Sequence, residues 1–238
     1  MSGHSKWATI KRKKAALDAK KGKVFTKIIR EITVAARDGG GDIAGNAKLR
    51  LLIEKAKSEN MPIDNITRAI KKGTGELAGE NYEPFMYEGY GPAGVAILVE
   101  TLSDNKNRTV SDLRHLFIKS GGKLGEGGSV SWMFEKKGVI AIKSNGHSED
   151  EVLEKLIDYN IDDISLDEDL FHIYCATEDL EKVKKAAETQ NLKVESSEIA
   201  WVAKNPLETS AHDEEKVYKL LEELEDLDDV NSVFANLK

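Results

Sequence analysis

Between residues 23 and 38, KVFTKIIREITVAARD sets Val24, Phe25, Ile28, Ile29, Ile32, Ala35 and Ala36 at steps of three and four. That spacing predicts an amphipathic helix with one buried stripe, its polar side carrying Lys23, Lys27, Arg30 and Arg37. Gly39 to Gly41 supply the stop. The design repeats near 44–60, with Leu49, Leu52, Ile53 and Ala56 inward and Lys48, Arg50, Lys55 and Lys57 mostly outward. After Pro62, Asp64 is the expected N-cap of a short helix, NITRAIKK, that Gly73 ends. The first 75 or so residues therefore read as a small three-helix bundle with basic flanks.

Past residue 73 the pattern changes. GVAILVETL (94–102) is a short β-branched apolar run, NKNRTVSDLRHLFIKSGG is a helix with Val110, Leu113, Leu116 and Phe117 inward, and GSVSWMF (128–134) reads as a strand. A more complete unit follows: strand 138–143, helix 148–160, strand near 162–166, strand 170–176, helix 178–190 and a strand starting near Val194. This β-α-β-β-α-β order is the split, ferredoxin-like arrangement. EIAWVA (198–203), a helix over 210–227 and a last strand, 230–237, remain to complete the interrupted unit before it. The expected fold class is thus α+β: a basic helical domain over 1–76, a discontinuous α/β domain over 77–136 plus 198–238, and a ferredoxin-like α/β domain over 137–197 inserted into it.

Charge is sorted along the chain. The 238 residues carry a formal net charge of −7, yet residues 1–75 hold 18 Lys plus Arg against 7 Asp plus Glu, and the remainder holds 17 against 35. A net of +11 in front and −18 behind directs an anionic partner to the front. Within GHSKWATIKRKKAALDAKKGK, Lys6, Lys11, Arg12, Lys13, Lys14, Lys20, Lys21 and Lys23 face a single acid, Asp18. Lys27 and Arg30 extend the series along the first helix. Trp7 lies inside this run, where it either stacks on a base or anchors the N-terminal segment on the bundle; anchoring is favoured, because aromatic burial contributes more than exposed stacking without a partner.

Other chemistry is weakly represented. A single cysteine, Cys175, gives no intrachain disulfide and no cysteine-based zinc site, which suits a reducing compartment, the cytoplasm, and its strand marks it as a small buried hydrophobe. No apolar run approaches a membrane span, and the N-terminus has neither the apolar core of a secretory signal nor, with Lys dominating Arg, the pattern of a mitochondrial presequence. His4, His115, His147, His172 and His212 show no paired ligand spacing, and no cofactor or metal is expected. The glycines of SGGKLGEGGS (120–129) follow a helix and precede a strand, the reverse of a phosphate loop, so they read as a turn requiring positive φ. Acidic clusters at 148–151, 167–170 and 222–229 lack a calcium-loop pattern and read as solvated faces. No nucleophile with an identifiable base stands out, and no enzymatic activity is expected.

Three strings carry a resemblance: GHSKWATIKRKKAALDAKKGKVFTKIIREITVAARDGGGD, NMPIDNITRAIKKGTGE and YEGYGPAGVAILVETLSDNKNRTVSDLRHLFIKSGGKLGEGGSVSWMF. Together they closely resemble the YebC/PmpR family. One departure is Ala93, where the family's turn usually has a second glycine. The resemblance implies a three-domain bacterial protein with a helical N-terminal domain and two α/β domains. Members are described as probable transcriptional regulators binding promoter DNA; others, including a mitochondrial relative that activates translation of cytochrome c oxidase subunit I, act on the ribosome, with bacterial members linked to relief of stalling at proline-rich stretches. The implied partner is promoter DNA or ribosomal RNA, and the basic motif carries over onto Lys6, Lys11, Arg12, Lys13, Lys14, Lys20, Lys21 and Lys23.

Overall fold

A computed structural model describes residues 21–238. The apolar stripe of the first helix, α1 (Lys21–Gly39), buries Ile28, Ile32 and Ala35 against Leu49, Ile53 and Ala56 of α2 (Ala47–Ser58) and Ile66 and Ala69 of α3 (Ile63–Gly73). Buried Asn46 fixes the α1–α2 corner: its side-chain oxygen accepts from the Leu49 amide at 3.0 Å, capping α2, and its Nδ2 donates to the carbonyls of Ala35 and Gly40, each at 2.9 Å. Helix α3 starts after Pro62 rather than at Asp64, with no side-chain cap, and Asp64 lies inside its first turn. Gly73 does more than stop it. A Cβ there would meet the Thr33 carbonyl at 2.3 Å, so only glycine lets α3 cross α1 this closely.

The next element is one the apolar pattern did not reveal. Strand β1 (Glu83–Tyr90) forms an antiparallel hairpin with β2 (Ala96–Ser103) around the turn at Ala93, whose φ of 55° is the left-handed region that the family's usual glycine would enter freely. Helix α4 (Lys106–Lys119) then leads to the two-residue strand β3 (Lys123–Leu124). GSVSWMF is not a strand: it is a turn and a single 3₁₀ turn over Ser131–Met133, because Glu88 draws its amides off any ladder. The strand begins at Phe134 and runs to Lys143 as β4.

From there α5 (Glu149–Leu156), β5 (Ile161–Asp167), β6 (Leu170–Cys175), α6 (Leu180–Thr189) and β7 (Val194–Ala203) complete a four-stranded antiparallel sheet of order β5-β6-β4-β7, the split β-α-β-β-α-β arrangement. Residues 198–203, assigned from sequence to the discontinuous unit, pair with β4 up to Phe134–Ala203, so the second sheet spans 134–203 and the expected boundaries at 136/137 and 197/198 move outward. Helix α7 (Ala211–Glu225) and β8 (Val230–Ala235) return to the first sheet, whose order is β3-β1-β2-β8. Each sheet is covered on one face by its two helices. Val95, Ile97, Val99, Phe117, Leu220 and Leu224 fill one layer, and Ile140, Ile142, Leu156, Phe171 and Val183 the other. Between the sheets a third apolar layer joins Ala96, Leu98 and Phe234 to Val139, Tyr174 and Val202.

Candidate nucleic-acid interface

The polar side of α1 does not face water along its length. Arg30, with a side chain only 13% exposed, donates through Nη1 to Asp229 Oδ1 at 2.9 Å and to the Asp228 carbonyl at 2.6 Å, and its guanidinium lies 5.0 Å from the Tyr82 ring centre. Lys27 donates to the Glu225 carbonyl, and Lys23, exposed, to the Asp226 carbonyl at 3.1 Å. Arg37 reaches Asn81 Oδ1 and the Tyr82 carbonyl, both at 2.7 Å. The cations of α1 thus sit on the C-terminal end of α7, where unpaired carbonyls carry the negative end of the helix dipole, and on the segment entering β1.

Asp229 is the centre of this contact. Its side chain is 8% exposed and accepts from Arg30, from Arg108 Nη2 at 2.8 Å, from Thr109 Oγ1 at 2.8 Å and from Ser103 Oγ at 3.2 Å. Burial pushes its carboxyl up, but hydrogen bonds from Arg108, Thr109 and Arg30 outweigh burial and hold it below the ordinary value. The same bonds, from Asp229 first and Asp104 second, push Arg108 up. The acidic stretch 222–229 is therefore not simply a solvated face; one of its members is a buried counter-ion shared by two arginines. Asn231 Nδ2 adds a bond to Glu31 at 2.7 Å, and Lys184 of α6 pairs with Glu54 of α2 at 2.8 Å.

The expected phosphate contacts accordingly divide. Lys6, Lys11, Arg12, Lys13, Lys14 and Lys20, with Trp7 and the side chain of Lys21, lie outside the described residues. Arg30, expected on the outward polar side, is part-buried against Asp229, and Lys27 and Lys23 bond to the α7 end; the physical cause is the matching negative terminus that folding brings against α1. Several cations of α2 and α3 outside the expected phosphate contacts are exposed as well. Arg68 and Lys71 share a face of α3, Lys48 and Lys57 project from α2, and none of these four side chains makes an ion pair or hydrogen bond among the described residues. The signal for the α3 pair was Arg68 and Lys71 at i, i+3 positions of a short helix, and Lys48 and Lys57 were legible as the polar side of α2.

Other candidate sites close on themselves. Buried Glu88 accepts from the amides of Gly128 at 2.7 Å, Val130 at 2.7 Å and Ser131 at 2.8 Å, so the glycine-rich loop already cradles an anion of its own chain. Burial raises the Glu88 carboxyl, and these three amides outweigh it and lower it. Gly121 and Gly128 take φ of 79° and 87°, as the turn reading requires. Cys175 is fully buried and burial pushes its thiol up to about 11, an inert position. His172 is buried in β6, whereas His115 is exposed on α4. Among the described residues no cluster of His, Cys, Asp or Glu could hold a metal ion, and no helix is long and apolar enough to cross a membrane.

The molecule is thus of the α+β class, a basic three-helix unit latched to a pair of packed antiparallel sheets. The chain belongs to the TACO1/YebC family, matching its N-terminal domain over residues 5–76 and its second and third domain over residues 82–237. Proteins of Chlorobaculum parvum (50% identical) and Chlorobium phaeovibrioides (52%), each described as a probable transcriptional regulatory protein, align over 100% of this chain and 95% and 96% of their own. The crystal structure of a conserved hypothetical protein from Aquifex aeolicus is similar at a TM-score of 0.85 and 46% identity, covering 93% of this chain and 91% of that one.

Proposed function

We propose that this protein is a non-enzymatic, nucleic-acid-binding regulator of gene expression that acts in the cytoplasm, with the helical unit as its phosphate-facing part. The observation that supports this best is the division of its cations: Lys23, Lys27, Arg30 and Arg37 of α1 bond within the chain, while Arg68, Lys71, Lys48 and Lys57 remain exposed, in a chain whose first 23 residues are strongly basic in sequence. The first reading is a DNA-binding transcriptional regulator, in line with the descriptions of its relatives. A second reading, ribosome-associated action on ribosomal RNA with relief of stalling at proline-rich sequences, is supported by the same cations: phosphate contacts give affinity without sequence choice. The structured units behind them, acidic overall, face away or meet a protein partner.

A salt titration with duplex DNA and with ribosomes tests both. Six to eight phosphate contacts give a log-log slope of roughly −5 to −7 on duplex DNA. A promoter regulator leaves a footprint that survives competitor DNA; a ribosome factor co-sediments with ribosomes and discriminates little among duplexes. Replacing Lys11, Arg12, Lys13 and Lys14 by Ala weakens either interaction and leaves the unfolding midpoint unchanged. Salt-insensitive or absent binding to both overturns the proposal and leaves a protein-interaction adaptor as the reading.

A further inference from the structure

Trp132 is 63% exposed, in a loop that is otherwise tightly held. Its neighbours in sequence, Val130 and Ser131, give their amides to buried Glu88, and its own Nε1–H donates to the Ser129 carbonyl at 3.2 Å, where the Tyr90 hydroxyl also donates at 3.0 Å. The indole is therefore oriented by a hydrogen bond rather than covered by packing. The other described tryptophan, Trp201, is half-buried and bonds to Glu100 at 2.9 Å, the ordinary fate of such a side chain.

Charge around Trp132 reverses the local trend. In the acidic part of the chain, Lys119, Lys123, Lys136 and Lys137 stand against Glu126 and Glu135 over residues 119–137. Lys119 and Lys137 are paired with Glu223 and Asp162. Lys123, exposed, lies 6.0 Å from the Tyr90 ring centre, and Lys204, exposed, reaches the Trp132 carbonyl at 3.2 Å. Lys123, Tyr90, Ser129, Trp132 and Lys204 are thus linked by successive contacts, with one exposed indole and a cation at each end of the series, on a loop that also carries exposed Glu126 and whose Gly127 and Gly128 leave open space.

We propose that this patch is a stacking platform for single-stranded nucleic acid, Trp132 receiving one unpaired base and Lys123 and Lys204 the adjoining phosphates. An indole plane between cations suits a base and its phosphates, whereas an acidic peptide would use the lysines and leave the aromatic plane idle. Because the loop is preorganised by Glu88, binding needs no ordering of the backbone. The inference deepens the proposed function, on which it rests for the polymer concerned, by adding a second contact far along the chain that distinguishes single strands from duplex.

The experiment uses the full chain with a fluorescently labelled twelve-residue oligouridine, its deoxythymidine counterpart and a mixed twelve-base-pair duplex, read by anisotropy. Trp132→Ala weakens both single strands about tenfold and the duplex less than twofold, and Trp132→Phe retains most of the affinity. Stacking releases few counterions, so the Trp132 variants keep the salt slope, while Lys123→Ala with Lys204→Ala lowers it by about one. Single-strand affinity unchanged in Trp132→Ala overturns the platform. So does an equal loss on duplex and single strand, which marks a structural role. If Trp132→Ala folds poorly, the lysine pair decides instead: an unchanged single-strand affinity and salt slope there overturn the platform as well. A parent protein that binds duplex with a steep salt slope but ignores single strands also overturns it, and leaves the reading of the helical unit intact. Binding to none of the probes or to ribosomes removes both.

Discussion

Helices α1 and α3 belong to one small bundle and carry the same kinds of cation, but the structure treats them oppositely. Arg30 of α1 is part-buried against Asp229 and the Asp228 carbonyl in the turn between α7 and β8, whereas Arg68 and Lys71 of α3 project without an ionic partner among the described residues. A basic helix face is therefore not by itself an outward one. Where folding brings a helix C-terminus and a buried carboxylate against it, the cations become cement between units; where it does not, they remain available to something outside the chain.

Breaking the latch has the largest expected effect. Asp229→Ala removes the counter-ion that Arg30 and Arg108 share, leaving Arg108 only Asp104 at 2.7 Å, and should lower the stability of the parts it joins by about 3 to 4 kcal/mol, read from the urea midpoint. Arg30→Ala, which leaves Asp229 still held by Arg108 and Thr109, should cost about 2 kcal/mol in the same titration. Acid should reproduce part of the first effect. Asp229 and Glu88 are depressed in the folded state, so the stability they contribute is fully present above their ordinary values of 3.8 and 4.5 and is lost as pH falls through the lower folded values. The midpoint should therefore hold from pH 7 to about 5 and fall below it, with Asp229→Asn flattening the fall.

Milder substitutions separate the two helix faces further. Ala93→Gly, remote from both helices, should raise stability by about 1 kcal/mol by relieving a left-handed φ of 55°, and fixes the sensitivity of the assay. Arg68→Ala with Lys71→Ala should shift stability by less than about 0.5 kcal/mol while lowering the salt slope of nucleic-acid binding by about two. If instead the α3 pair destabilises as much as Arg30→Ala, the two faces are not different in kind.

The sequence carried the elements better than their partners. Periodicities of three and four placed α1 and α2 well, because a single apolar stripe on a helix is read locally. The second sheet was legible because its six elements follow one another without interruption. Strand β1 was missed because YEGYG has two glycines and a buried glutamate where a strand usually shows alternating apolar residues. Residues 198–203 were misassigned for a related reason: alternation reveals a strand but not which sheet it joins, and β7 simply continues beside β4 to its start. For the candidate site, the net sign of the front part was visible, whereas the sorting of individual cations was not. Arg30 and Arg68 look alike in sequence, and only the return of α7 past α1, some 200 residues later, distinguishes them.

The late return of α7 and β8 also governs how the protein is made. The middle strand β2 acquires its neighbour β8 only after every strand of the second sheet has been synthesised, because residues 230–235 follow residues 134–203 in the chain. Until then β2 presents an apolar unpaired edge, a form prone to pairing with other chains, while residues 134–203 already have what they need to fold. Asp229 belongs to the same late segment, so the contacts that hold α1 against the sheets form only after residues 225–229 have been made.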